Sequence, residues 1–161
     1  MNVPQSELKK TFLNSYSNLS ELKFALLVLR EINDDSIGVS VIGKSNDIDD
    51  AHNSITYGND MQQLLKKIIG EETEFDSFYN RELGLLFVSG FLVSTFLNPI
   101  GKSNIGILSG GPYGVLRGFG VSEQQAAESV KNLSNGDYLL VIRGHNLIIE
   151  KLATKLLGLR Q

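Results

Sequence analysis

The residues best suited to chemistry sit near the C-terminal end of the chain. Arg143 and His145, in Arg143-Gly144-His145, follow the apolar run YLLVIR and precede a helix opened by Asn146. A helix start offers free backbone N–H groups, and a guanidinium and an imidazole beside it would make an anion site. The alternative is a capping or solvent-exposed histidine in a turn. His52 lies among Asp47, Asp49 and Asp50, which a hard cation would accept, but the D-x-[DN]-x-[DN]-G spacing of a calcium loop is missing. Glu71, Glu72, Glu74, Asp76 and Glu82 are carboxylates suited to acid–base work, yet nothing in their spacing makes two of them converge. Ser89 lies in VSGF rather than in the G-x-S-x-G of a nucleophile elbow. With no cysteine among 161 residues there is no thiolate, disulfide or cysteine metal site. No catalytic, cofactor-binding or metal-binding residue is assigned. The expectation is a non-enzyme that carries no cofactor.

The composition bounds the rest. A chain of this length fits a single domain over residues 1–161. Its 42% apolar and 20% charged residues are those of an ordinary globular protein. A formal net charge of -3 argues against sequence-independent nucleic-acid binding, which needs clustered cations. The opening MNVPQSELKK has no apolar signal region, so a cytoplasmic location is expected. Residues 83–101 contain no charge, and a run of about 20 such residues is long enough to span a bilayer. Ser89, Ser94, Thr95, Asn98 and Pro99 interrupt it, so a buried strand and helix are favoured over a membrane span.

The elements that would position these residues follow from periodicity. Residues 8–14 suit a first strand. Asn18, with Glu21 three residues later, opens a helix whose leucines fall at helical spacing. Ile37, Val39 and Val41 alternate as a strand. Residues 44–82 read as an insertion: a polar stretch, a helix capped by Asp60 and stopped by Gly70, then an exposed acidic and aromatic segment. Residues 85–88 suit a buried central strand. Ser122 with Gln125 caps a further helix, YLLVIR is a strong strand, and Asn146 opens the last helix. Two β-α-β halves predict an α+β fold, a ferredoxin-like split β-α-β sandwich with an inserted helical segment, its helices on one face of four strands.

Residues 101–120 form a Gly-rich packing segment. Gly106, Gly110, Gly114 and Gly118 recur at every fourth position, and on one helix they would share a face that a second backbone could approach closely. Each interior glycine disfavours a helix by about 0.8–1 kcal/mol relative to alanine, so packing would have to compensate. Pro112 would break the helix near Gly110-Gly111. A Gly-rich loop feeding a short helix is the alternative.

The segments DDSIGVSVIG and GLLFVSGFLVSTFL, then the glycine repeat, then GFGVSEQQAAESVKNLSNGDYLLVI carry a family likeness. The chain resembles bacterial general stress proteins (heat-induced stress protein and relatives) with a glycine-zipper segment and no assigned activity. Gly120-Val121-Ser122-Glu123 with Ala126, then Gly136 through Ile142, match that family's helix start and following strand in order. The likeness covers residues 8–43 and 83–143, leaving 44–82 outside it. It implies a stress-associated protein with no catalytic residues to carry over. With the glycine stripe, the expectation is a self-associating interaction module, a homo-oligomer. The alternatives are a membrane-associated glycine-zipper protein and a small-ligand binder at Arg143 and His145.

Overall fold

A computed structural model describes residues 8–32, 34, 36–45, 51–97, 99–100, 103–104 and 110–158. The first strand, β1 (Lys9–Tyr16), leads into helix α1 (Leu19–Ile32), opened as expected by Asn18, whose Oδ1 accepts the Glu21 N–H at 2.9 Å. Strand β2 (Gly38–Lys44) and helix α2 (Ala51–Ile69) follow, then the hairpin β3 (Phe75–Asn80) and β4 (Gly84–Gly90). A short helix α3 (Leu92–Phe96), a two-residue pair β5 (Pro99–Ile100) and β6 (Ser103–Asn104), and helix α4 (Gly111–Gly118) come next. The chain closes with α5 (Glu123–Ser134), β7 (Tyr138–His145) and α6 (Asn146–Gly158). Ser122 caps α5, its Oγ accepting the Gln125 N–H at 3.2 Å.

The main sheet has five strands in the order β1-β7-β2-β4-β3, every neighbouring pair antiparallel. The last strand is thus inserted between the first two, and β1 and β2 run parallel to each other with β7 between them. The fold is α+β. The expected four strands with helices on one face are corrected to five strands with helices on both faces. The reason lies in the strand sequences. Leu139, Leu140, Val141 and Ile142 of β7 are all at most 1% exposed. Consecutive side chains point to opposite faces, so both faces of this strand require cover. Leu140 and Ile142 pack with Val41, Phe87 and the inner sides of α1, α2 and α6. Leu139 and Val141 pack with Ile42, Leu86, Val88 and residues of α3, α4 and α5. The described part of the uncharged stretch, residues 83–97, goes into this core through β4 and α3. Among the described residues no helix is long and apolar enough to cross a membrane.

The segment read as an insertion is built into the domain. Helix α2 begins at Ala51, nine residues before the expected Asp60 cap, and buries Met61, Leu65 and Ile68 against the sheet. The acidic and aromatic stretch expected to be exposed contains β3, with Phe78 and Asn80 buried and Phe78 stacked on Phe96 at 5.2 Å. Alternation turns Ser77 and Tyr79 away from the Phe78 side and into solvent, while Asp76, on the Phe78 side, is exposed near the start of the strand.

Where β2 meets β4, side chains complete the ladder. The Ser89 hydroxyl accepts the Val41 N–H at 3.1 Å and donates to the Val41 carbonyl at 3.3 Å, while Ser40 Oγ accepts the Leu92 N–H at 2.9 Å. Gly90 sits here with φ +79, and a Cβ on it would lie 1.8 Å from the Val39 carbonyl oxygen, so only glycine fits.

Burial separates two substitutions sharply. Val141→Asp places an unpaired carboxylate in the sheet centre and is expected to cost at least about 3 kcal/mol. Lys151 is exposed on α6, and Lys151→Ala should stay within about 0.5 kcal/mol. Urea midpoints of the two variants check this; equal losses would contradict the burial of β7.

Candidate functional site

Arg143 points to the sheet face covered by α4 and α5. Its Nη1 donates to Thr11 Oγ1 at 2.8 Å and to the Phe119 carbonyl at 3.1 Å, and Thr11 Oγ1 donates to the same carbonyl at 2.8 Å. The guanidinium carbon lies 5.0 Å from the centre of the Phe119 ring, which meets Phe91 edge-on at 5.8 Å. Arg143 is a clasp that ties the end of α4 to β7 and β1. Helix α6 packs on the opposite face of the sheet, through Ile149, Leu152 and Leu156. The guanidinium and the helix start expected to form an anion site are therefore on different sides of the sheet.

His145 ends β7 and is exposed. Its charge is felt at Asp34, whose carboxyl is held below the usual range chiefly by hydrogen bonds from the Ser36 hydroxyl and backbone N–H, with His145 a smaller contributor. A lowered carboxylate pKa means that this local turn is supported above the unfolded-state value and loses its support as pH falls through the folded one.

The other sequence candidates do not converge. Asp47, Asp49 and Asp50 lie outside the described residues. His52 lies in the first turn of α2, where no side chain is described. Glu71, Glu72, Glu74, Asp76 and Glu82 are all exposed along the β3 side of the sheet. Among the described residues no three His, Cys, Asp or Glu side chains are grouped to hold a metal. Ser89, fully buried, serves the β2–β4 ladder.

The described glycines of the stripe do not all lie within one helix. Gly110 stands ahead of α4 with φ +76, and Pro112 falls in the first helical turn, where its missing N–H costs nothing. Gly106 lies outside the described residues. Gly114 and Gly118 are on the exposed side of α4, and a Cβ on either meets no described atom within 4 Å. The opposite side of α4 packs inward through Pro112, Val115 and Leu116.

Two grooves of the domain lie along β1. One groove of about 830 Å³ runs beside the strand between α5 and α6, lined by Asn14, Gln125, Glu128, Ile149, Ala153 and Leu157 among others. A second, of about 800 Å³, opens at the Tyr16 end near the start of α1. Sequence reading missed both, because they arise from strand order and not from any local motif. The clasp around Phe119 was equally hidden, since Thr11 and Phe119 are 108 residues apart.

Comparison with known proteins adds no assignment: no protein-family model matches the chain, and neither a curated protein nor a solved structure matches it.

Two sets of variants test this placement. A clasp made of charged hydrogen bonds and ring stacking should not survive Arg143→Lys, because an ammonium cannot reproduce the planar fork. Arg143→Lys and Arg143→Ala should each lower stability by about 1–3 kcal/mol, whereas His145→Ala should stay within about 0.5 kcal/mol. Phosphate should leave the thermal midpoint of the natural chain unchanged; a rise abolished by Arg143→Ala would restore the anion site. Gly114→Ala, in an exposed helical position, should raise stability by up to about 1 kcal/mol. Gly114→Leu should be tolerated, and a leucine variant that loses oligomer mass would show instead that the stripe contacts another copy.

Proposed function

We propose that the chain is a non-enzymatic interaction module that works by self-association, in the stress-linked setting implied by its resemblance to bacterial general stress proteins. The observation that carries this reading is the edge of β1, which no described strand covers, within a groove between two helices. Edge strands present unpaired N–H and C=O groups, and natural proteins usually shorten, twist or cover them. β1 is eight residues long and remains at the sheet edge, above the usual strand length of about 5–6. The polar side chains that would otherwise suggest chemistry support the reading from the other side: Arg143, Ser40, Ser89 and Asn80 are engaged in holding strands and turns. The kinship to ferredoxin-like sandwiches belongs to the same proposal, and rests on the two interleaved β-α-β crossovers.

Light scattering of the full chain across a range of concentrations tests the reading. A mass that rises above that of one chain is expected. A single-chain mass at every concentration would overturn self-association.

A further inference from the structure

We propose that two copies join edge to edge through β1, antiparallel about a two-fold axis at Phe12, to make one continuous sheet; this rests on the reading of the chain as a self-associating module. The Leu8 carbonyl accepts the Asn146 N–H at 2.7 Å, so Leu8 directs its backbone towards β7. Backbone direction alternates along an antiparallel strand, which turns the N–H and C=O groups of Lys9, Thr11 and Leu13 outward, into the groove.

Register follows from pairing rules. Residues directly opposite each other across an antiparallel seam are either both hydrogen-bonded or both not. A two-fold at Phe12 meets this condition and sets Thr11 opposite Leu13 of the second copy, Lys10 opposite its Asn14, Lys9 opposite its Ser15 and Leu8 opposite its Tyr16. No like charges face each other. A two-fold at Leu13 would instead set Lys9 opposite Ser17, which lies past the β1–β7 ladder, whereas Leu8, just ahead of the strand, still bonds Asn146 beside β7.

The flanking helices fit this seam. Helix α6 packs on both β1 and β7. With strands about 4.8 Å apart, two helices so placed on either side of the seam lie roughly 10 Å apart, within reach of the about 8–10 Å of packed helices. The side of α6 that lines the groove carries half-buried Ala153 and Leu157, the latter 50% exposed in the single chain. Helix α5 packs more on β7 and β2 than on β1, so its symmetry mate would stand farther off, and its groove residues Gln125, Glu128 and Asn132 are polar. The apolar helix is thus the one that meets its mate.

The register also brings polar side chains together across the seam. The buried Asn14 amide nitrogen has no acceptor among the described residues. Lys10 and Glu150 make only a long, exposed contact at 4.0 Å. In the proposed register the second copy sets its Lys10, and the Glu150 beside it, across the seam from Asn14.

The other sheet edge is guarded. The Glu74 carbonyl accepts the Gly90 N–H, so the same alternation turns the Ser77 N–H outward, and the Asp76 carboxylate caps it at 2.8 Å. A strand arriving at β3 would meet that carboxylate.

Absence of natural cysteine makes cross-linking a clean test. Lys10→Cys and Asn14→Cys chains are prepared separately, and each is checked for a natural urea midpoint. Opposed Cα atoms of a non-hydrogen-bonded pair lie about 4.5 Å apart, within disulfide reach. Like positions in the two copies, Lys10 to Lys10 or Asn14 to Asn14, are four residues out of register and about 13 Å apart. Mild oxidation of an equal mixture should therefore give a covalent dimer, and neither variant alone should. Hydrogen exchange on the natural chain is a second measurement that needs no substitution: the Lys9, Thr11 and Leu13 amides should be protected in concentrated solution and exchange freely on dilution. A doubled mass with no cross-link and freely exchanging edge amides would place the contact elsewhere, overturning this interface while leaving self-association standing. Equal cross-linking of the single variants would overturn the register. A single-chain mass throughout would remove both.

Discussion

Strand β7 carries four consecutive apolar residues, Leu139 to Ile142, and each must be kept from water. Because neighbours on a strand face opposite ways, no single layer of helices can cover them. Two layers are needed, and the chain supplies α1, α2 and α6 for one and α3, α4 and α5 for the other. Placing this strand between β1 and β2 also leaves the sheet incomplete until the C-terminal third of the chain is in position. The Arg143 clasp sits where that late strand meets the oldest one, joining β7 and β1 to the end of α4.

The same constraint explains where polar side chains are spent. Inside a three-layer core every buried donor and acceptor needs a partner, since leaving one unpaired costs about 1–3 kcal/mol. Ser89 bonds both backbone groups of Val41, Ser40 bonds the start of α3, and Asn80 Oδ1 accepts the N–H groups of Glu82 and Leu83 at the β3–β4 turn. Each residue type is capable of chemistry in another setting. Here each closes a gap in the hydrogen-bonding of the fold. The two sheet edges of the domain differ in kind: β3 is shorter and carries an acidic cap, while β1 is long and lies in a groove.

Much of the local structure was legible in the sequence because local signals act over three or four residues. The Asn18 and Ser122 caps, the strand at β2 and the start of α6 all depend on neighbours along the chain. The Gly-rich segment was legible only in part. Periodicity marked a shared face, but it could not show that Gly110 leaves the helix or that Gly114 and Gly118 look outward. That was decided by Val115 and Leu116, whose burial turns the other side of α4 towards the core.

By itself the sequence determined the α+β class, the caps at Asn18 and Ser122 and the strength of β7, since residue type and short-range spacing are enough for these. Tertiary structure alone decided that the segment at 44–82 supplies an edge strand and a core helix. It also separated Arg143 from the helix start that follows it, and left β1 at the open edge. These depend on which strands become neighbours and which face each helix covers. Both are settled by burial between residues far apart in the chain, as with Thr11 and Phe119, and no local pattern carries that information.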